Sequence, residues 1–367
     1  MLDYIRETPD ILLDIISNSE TYTRSLVDFY LDNHCEGLYL IASGSSYNGS
    51  FIAWPFMRYI LNEEIRLETP FTFVNHEIKY IGKQMFLGVS QSGCSTNTLD
   101  ALKQLKEKGV PCACLVGRDD CDARDIADLC VNWKVGEEKV GFVTKGVSSL
   151  ACFLMCFSLE LARARNLIDE EKYAYAKDQL RKTQVLQPQM VDNTIDLFSR
   201  QKEDFLNPSR VVLLSSGPQF GTIMEGALKI AETSCLTAVP YEAEEFLHGP
   251  LYPSKPEDLI LIVDNGDHPS SKRMIDIALA LYDITRKVYV VTDSEKIDPD
   301  HRFSVNDQTC RYSAPLYKLA CLQTLAYLMT EATNRYEPHD CVKQFKKANK
   351  VASKTREDLY LDLQNIK

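Results

Sequence analysis

The amino-acid sequence predicts an α/β protein: two tandem three-layer αβα units with parallel sheets, plus flanking N- and C-terminal helices. Three observations predict it. Short runs that are apolar at every position end in small polar residues and give way to helical periodicity, as strands covered on both faces do. The same order of runs occurs twice along the chain. A length of 367 residues, at roughly 150 residues per domain, holds about two hydrophobic cores.

Taken in order, an N-terminal helix is expected over Asp10 to Asn33. Strands follow at Gly37 to Ala42, Met85 to Val89, Cys112 to Val116 and Leu129 to Val135, with a helical pattern from Thr98 to Lys108 after the second. A second series runs Arg210 to Leu214, Asp258 to Val263 and Lys287 to Thr292. Ser43-Gly44 closes the first strand of one set, and Ser216-Gly217 stands 173 positions later. Gly93 and Gly266, each after the second strand of its set, are again 173 apart. Equal offsets with equal strand order argue for duplication of one α/β unit. The units are placed at 28–185 and 200–335, joined by the polar stretch Asp169 to Gln201, and 336–367 is a C-terminal helical tail with a Lys-rich helix from Cys341 to Asn365.

Composition narrows the function. With 41 Lys+Arg against 52 Asp+Glu the formal charge is −11, which argues against nucleic acid as a partner, because phosphate neutralisation needs basic surface. The twelve cysteines are scattered singly, and the acidic amphipathic start Met1 to Glu7 is no secretory signal; reduced thiols in a cytoplasmic protein are expected. Cys112, Cys114, Cys121 and Cys130 lack zinc-site spacing and lie in apolar surroundings, so no metal is expected. The longest apolar run, Leu150 to Phe157, is too short to span a bilayer, and no membrane association is expected.

The second strand of the first set runs into Ser90-Gln-Ser-Gly-Cys-Ser-Thr-Asn97 and then a helix start. A hydroxyl-rich turn with one Gly ahead of a helix gathers unpaired N–H groups, the positive end of the helix dipole and hydroxyl donors, enough to hold a phosphate without Lys or Arg. The plainer reading is helix capping by Ser and Thr. No GxxxxGK[ST] is present and no GxGxxG follows a strand, so nucleotide chemistry is disfavoured.

These residues carry a resemblance. Ser90-Gln-Ser-Gly-Cys-Ser95 resembles the S-Q-S-G-E-T phosphate loop of the sugar isomerase (SIS) domain family, and Ser43-Gly-Ser-Ser-Tyr-Asn48 resembles its G-T-S-Y element. Glu225-Gly-Ala-Leu-Lys-Ile-Ala-Glu232 and Glu242-Ala-Glu-Glu-Phe-Leu-His-Gly-Pro-Leu251 are similar to the isomerase half of glucosamine-6-phosphate synthases. The resemblance covers both repeats and implies tandem SIS units, with Ser90, Gln91, Ser92 and Ser95 holding a sugar phosphate and Ser46 contacting the sugar. Cys94 departs from the family pattern, which has Glu there. Gly136 to Lys145 resembles a ligand loop, one residue shorter, and implies a sugar contact for Thr144.

Moving a proton between C1 and C2 of a sugar phosphate needs an acid/base at the ring oxygen and a carboxylate over the C1–C2 edge. Lys229 and Glu232 lie at i and i+3 on one helix and, without the resemblance, read as a solvated salt pair. The resemblance implies that both are catalytic. It also makes His248, in Leu247-His-Gly-Pro-Leu251, the ring-opening acid/base, in relatives often facing the partner subunit's site; a homodimer or higher homo-oligomer is therefore expected. His34, His76, His268, His301 and His339 have no comparable setting. Lys343, Lys346, Lys347, Lys350 and Lys354 form a basic stripe, by default a solvated face, in which the resemblance marks Lys350 as the lysine near C1 and C2.

Glutamine-dependent amination is not expected, because Met1-Leu2 lacks the cysteine that follows the initiator Met in the full synthases. Stand-alone tandem SIS chains with E-x-x-x-F-x-H-G-P look most like fructosamine-6-phosphate deglycases, which cleave Amadori products with no metal or organic cofactor. The alternatives are a glucosamine-6-phosphate ketose/aldose isomerase or deaminase and, in another class, a non-catalytic phosphosugar-sensing regulator.

Overall fold

Strands that are apolar throughout need cover on both faces, and the two series of runs each form a parallel sheet with that cover. The computed structural model describes residues 1–139, 141–266, 268–307, 309–335, 337–347 and 353–356. The chain divides into an N-terminal unit, Asp10–Lys177 with His339–Lys367, and a C-terminal unit, Asp178–Pro338 with Met1–Pro9.

The predicted N-terminal helix is two helices, α1 (Leu2–Ser17) and α2 (Ser19–Asp32), broken at Asn18. The N-terminal unit continues with β1 (Leu38–Ala42), α3 (Ser45–Leu61), β2 (Ile65–Glu68), the single turn α4 (Pro70–Thr72), β3 (Met85–Ser90), α5 (Thr96–Glu107), β4 (Cys112–Val116), β5 (Leu129–Asn132) and α6 (Lys145–Ala164). Sheet order is β2-β1-β3-β4-β5, all parallel. The strands β1, β3 and β4 are buried at every residue. The helix α6 packs on α2 and α3. Among the described helices it alone is long and apolar enough to cross a bilayer by length and composition, yet 89% of that window is buried inside the structure. Ser148, Ser149 and Ser158, all buried, interrupt its apolar run.

The stretch Asp169 to Gln201, expected as a polar joint, is instead the 31-residue helix α7 (Glu170–Arg200). Its inner face runs Leu180, Thr183, Gln184, Gln187, Met190, Thr194 and Leu197, all buried. Thr and Gln on buried positions hide the helical period from a hydrophobicity reading. After α8 (Lys202–Phe205) come β6 (Val211–Ser215), α9 (Phe220–Ser234), β7 (Ala238–Glu242), α10 (Ala243–Leu247), β8 (Leu259–Val263), α11 (Pro269–Leu281), β9 (Val288–Val291), β10 (Arg302–Phe303) and α12 (Pro315–Thr333). The second sheet, β10-β9-β8-β6-β7, is parallel and repeats the order of the first from the other edge.

The predicted C-terminal helix is described only as α13 (Asp340–Lys347). Within the span expected to be helical, Lys354 instead forms an antiparallel bridge with Ser95.

Candidate functional site

In the N-terminal unit β1 lies between β2 and β3, so the chain leaves β1 and β3 toward opposite sides and a crevice opens beyond their carboxyl ends. The two hydroxyl-rich turns meet there. Ser43 follows β1, and its Oγ accepts from Asn97 Nδ2 at 2.9 Å, which ties it to the turn after β3. Ser46 lies half-buried in the first turn of α3. Gly93 sits at φ +62°, and a Cβ there would come within 2.5 Å of Cys121 Sγ, so the turn admits only glycine.

Ser90 Oγ lies 2.9 Å from Ser95 Oγ and 3.4 Å from Ser92 Oγ. Ser92 Oγ also accepts from the Cys94 N–H at 3.2 Å. Ser95 is the N-cap of α5 but makes no side-chain capping bond; its hydroxyl turns to Ser90. Three hydroxyls therefore converge instead of merely capping a helix. Cys94 is fully buried, and burial pushes its thiol above the ordinary value. It packs under the turn, where a carboxylate would face a desolvation cost.

Gln91 is held on three sides. Its Nε2 donates to Glu138 Oε2 at 2.8 Å. A Cβ on Gly117 would come within 2.8 Å of its Cγ, and one on Gly146 within 2.6 Å of its Cδ. Glu138 Oε1 accepts from the N–H groups of Thr144 (2.8 Å) and Lys145 (2.9 Å), at the start of α6. Thr144 itself is buried, its hydroxyl donating to Phe142 O at 3.0 Å.

The tail crosses the same turn. Cys94 O accepts from Thr355 N (3.0 Å) and Thr355 Oγ1 (3.2 Å), and Thr96 N donates to Ser353 O at 3.1 Å. Arg356 forms a bidentate pair with Asp120, at 2.9 and 3.1 Å, and holds that carboxyl below its ordinary range. Lys350 lies outside the described residues. Of the stripe, Lys354 is described beside this turn, its backbone bridged antiparallel to Ser95.

In the C-terminal unit Lys229 and Glu232 share α9 with Glu225. A Cβ on Gly226 would meet Leu322 of α12 at 2.4 Å, so glycine lets the two helices close on each other. Lys229 Nζ lies 2.5 Å from Glu232 Oε2 and 3.5 Å from Glu225 Oε1. Glu225 and Lys229 are fully buried, whereas the Glu232 side chain keeps 37% of its surface exposed. Burial draws the Lys229 pKa down, but Glu225 and then Glu232 outweigh it and hold the group above the ordinary lysine value. Lys229 is thus a fixed cation, not an imine-forming amine, and Glu232 is the open carboxylate of the trio. The solvated salt pair of the sequence reading is corrected: the lysine is in the core.

His248 is exposed at the C-cap of α10, its N–H donating to Glu245 O at 3.1 Å. Glu242 caps the other end of that helix, accepting from Glu244 N (2.7 Å) and Glu245 N (3.0 Å), and Phe246 anchors it in the core. The capping carboxylate and the buried ring present His248 on a short rigid turn. Glu138 and Glu225 escaped the sequence reading as site residues, although Glu225 stood in the quoted helix motif. Glu138 is joined to Gln91 across 47 residues, a pairing no local pattern announces. All twelve cysteines are free. Among the described residues no group of three or more His, Cys, Asp or Glu side chains is placed to hold a metal ion.

The SIS domain family matches residues 204–308. An isomerizing glutamine–fructose-6-phosphate aminotransferase of Chlamydia trachomatis is 25% identical over 343 residues, 90% of this chain and 55% of the relative. The chain spans between about a third and about half the length of the curated relatives it matches. A Clostridium difficile 630 chain provisionally described as a phosphosugar isomerase superposes with TM-score 0.85 at 24% identity, covering 96% of this chain and 99% of that one. The C-terminal domain of a Francisella tularensis glucosamine–fructose-6-phosphate aminotransferase gives 0.80 at 21%, covering 92% and 98%. At these identities the structural likenesses show the fold. Residues 204–308 match the SIS domain family, the two parallel units carry the SIS α/β fold, and the homologues of the chain are isomerizing glutamine–fructose-6-phosphate aminotransferases.

Proposed function

We propose that this chain is a phosphosugar enzyme that cleaves fructosamine 6-phosphates. The observation that carries the reading is Glu232: a half-open carboxylate charge-paired with a buried, permanently cationic Lys229. Such a carboxylate is oriented and reachable, as a general base must be. The converging hydroxyls of Ser90, Ser92 and Ser95 support phosphate as the ligand group of the N-terminal unit.

In the proposed reaction Glu232 removes a proton from C1 of the open-chain fructosamine while the C2 carbonyl takes up the electron pair. The proton returned at C2 leaves an imine between C1 and the amine nitrogen. Water adds to that imine, the C–N bond breaks, and glucose 6-phosphate and the free amine depart. The carbonyl is the electron sink. His248 opens the ring, and Lys350, the tail lysine that the family resemblance marks, contacts the sugar near C1 and C2.

Incubation of the protein with fructoselysine 6-phosphate is expected to release lysine and glucose 6-phosphate in equal amounts; release of neither overturns the reading. The isomerizing aminotransferase relatives favour a second reading, ketose/aldose isomerisation or deamination of glucosamine 6-phosphate by the same residues. Turnover of glucosamine 6-phosphate without amine release from the fructosamine selects it.

A further inference from the structure

We infer that Glu138 is a positioning residue for the phosphosugar cradle: its carboxylate fixes the carboxamide of Gln91 in a single orientation and thereby sets the affinity for sugar phosphate. This rests on the reading of the Ser90–Ser95 turn as the phosphate site.

A glutamine side chain has two nearly isosteric amide orientations, and its environment selects between them. An ionised carboxylate accepts hydrogen bonds and cannot donate. With Glu138 Oε2 at 2.8 Å, Nε2 must face Glu138, since the flipped amide would set Oε1 against a negative oxygen. The side chain also fills the space that two glycines leave, Gly117 against Cγ and Gly146 against the carboxamide, at separations that no Cβ would fit. One Nε2 hydrogen is committed to Glu138, and the other is the donor left for a ligand. A partly exposed glutamine held this tightly loses almost no side-chain entropy on binding.

Glu138 is itself held. Its other oxygen takes the Thr144 and Lys145 N–H groups at the start of α6. There the helix dipole offsets its charge, so a carboxylate can stand one hydrogen bond from an anion-binding turn.

The test separates positioning from plain electrostatics because the two have opposite signs. Glu138→Gln removes a negative charge beside a site for a dianion, so simple electrostatics tightens binding. Positioning predicts that fructose 6-phosphate, titrated calorimetrically into the full chain, binds about tenfold more weakly to Glu138→Gln. Gln91→Ala is expected to lose a similar factor, and the double variant no more than Gln91→Ala alone. Gly146→Ala displaces the carboxamide while leaving Glu138 intact, and is expected to weaken binding likewise. In turnover the loss falls on KM, with kcat kept. Unchanged or tighter binding by Glu138→Gln, or additive losses in the double variant, overturns the inference. A ligand-free readout keeps it distinct from the functional reading: the Gln91 side-chain NH2 resonances should show one slowly exchanging proton that Glu138→Gln abolishes. Should the wild type bind no sugar phosphate, the reading of the cradle fails. Absence of the protected proton defeats the positioning of Gln91 whatever the ligand.

Discussion

The carboxyl edge of the first sheet and that of the second share a backbone plan and differ in what stands on it. In the N-terminal unit the turns after β1 and β3 carry Ser43, Ser90, Ser92 and Ser95, with glycines at φ +59° (Gly44) and +62° (Gly93). In the C-terminal unit the turns after β6 and β8 carry Ser216, Asp264 and Asn265, with glycines at φ +54° (Gly217) and +66° (Gly266). There Asn265 Nδ2 donates to Ser216 O and Oγ, both at 3.0 Å, and so occupies the groups that a ligand would need. The buried Asp264 accepts from Ser271 Oγ (2.8 Å) and Thr292 Oγ1 (2.9 Å) and would repel a phosphate. One switch point is dressed with hydroxyl donors and the other is filled from within. The duplicated scaffold has kept its geometry and divided its side chains: converging hydroxyls at the switch point of one unit, the carboxylate–lysine trio of α9 in the other.

The largest effect expected from that division is at Glu232. Glu232→Gln should lower turnover of fructoselysine 6-phosphate by about 10²–10⁴-fold, while the affinity for the sugar phosphate, which the proposed function assigns to the other unit, is unchanged. Equal loss of binding and turnover would break the division of labour. Next comes Lys229→Met, which leaves Glu225 buried without its cation and should cost about 3–5 kcal/mol of stability in urea unfolding. Its pH signature is also defined. A lysine held above its ordinary value of 10.5 lends stability that is complete below that value and is lost as pH rises through the folded-state value. The difference in stability between wild type and Lys229→Met should therefore stay constant from neutral pH to about 10 and shrink only above it.

Smaller effects sharpen the contrast between the two edges. Ser95→Ala, which takes a hydroxyl from the cradle, should weaken sugar-phosphate binding about tenfold and leave the unphosphorylated sugar unaffected. Asn265→Ala at the matching edge of the other unit should leave that affinity as it was. Smallest is the tail. Arg356 holds the Asp120 carboxyl below its ordinary value, so this contact is intact above that value and is lost as pH falls through the lowered one. Protection of the Ser353 to Arg356 amides, measured against their intrinsic exchange rates, should fall on acidification, and Asp120→Asn should remove that fall.

What the sequence discloses follows from burial. The strands β1, β3, β4, β6, β8 and β9 lie inside their sheets, are buried on both faces and are apolar throughout, so runs of Leu, Ile, Val and Cys mark them. The strands missed are edges: β2 alternates as Ile-Arg-Leu-Glu, β7 contains Pro240, tolerated where a ladder ends, and β10 has two residues. The helix α7 hid because buried Thr and Gln replaced the apolar residues of its inner face. In the cradle, the density of hydroxyls was legible because the residues are adjacent. The Gln91–Glu138 clamp was not, since it depends on two distant glycines. The tail misled for a plainer reason: lysines at helical spacing also occur where the chain runs across a turn, as Lys354 does.

Fructoselysine 6-phosphate deuterated at C1 and followed by NMR offers the most direct test of Glu232 as the C1–C2 base on a cradled sugar phosphate. The wild type should move the label from C1 to C2 or to solvent as lysine is released, and Glu232→Gln should bind the compound and leave the label in place. A wild type that holds the sugar phosphate without disturbing the label, or a Glu232→Gln that moves it as fast as the wild type, contradicts the account.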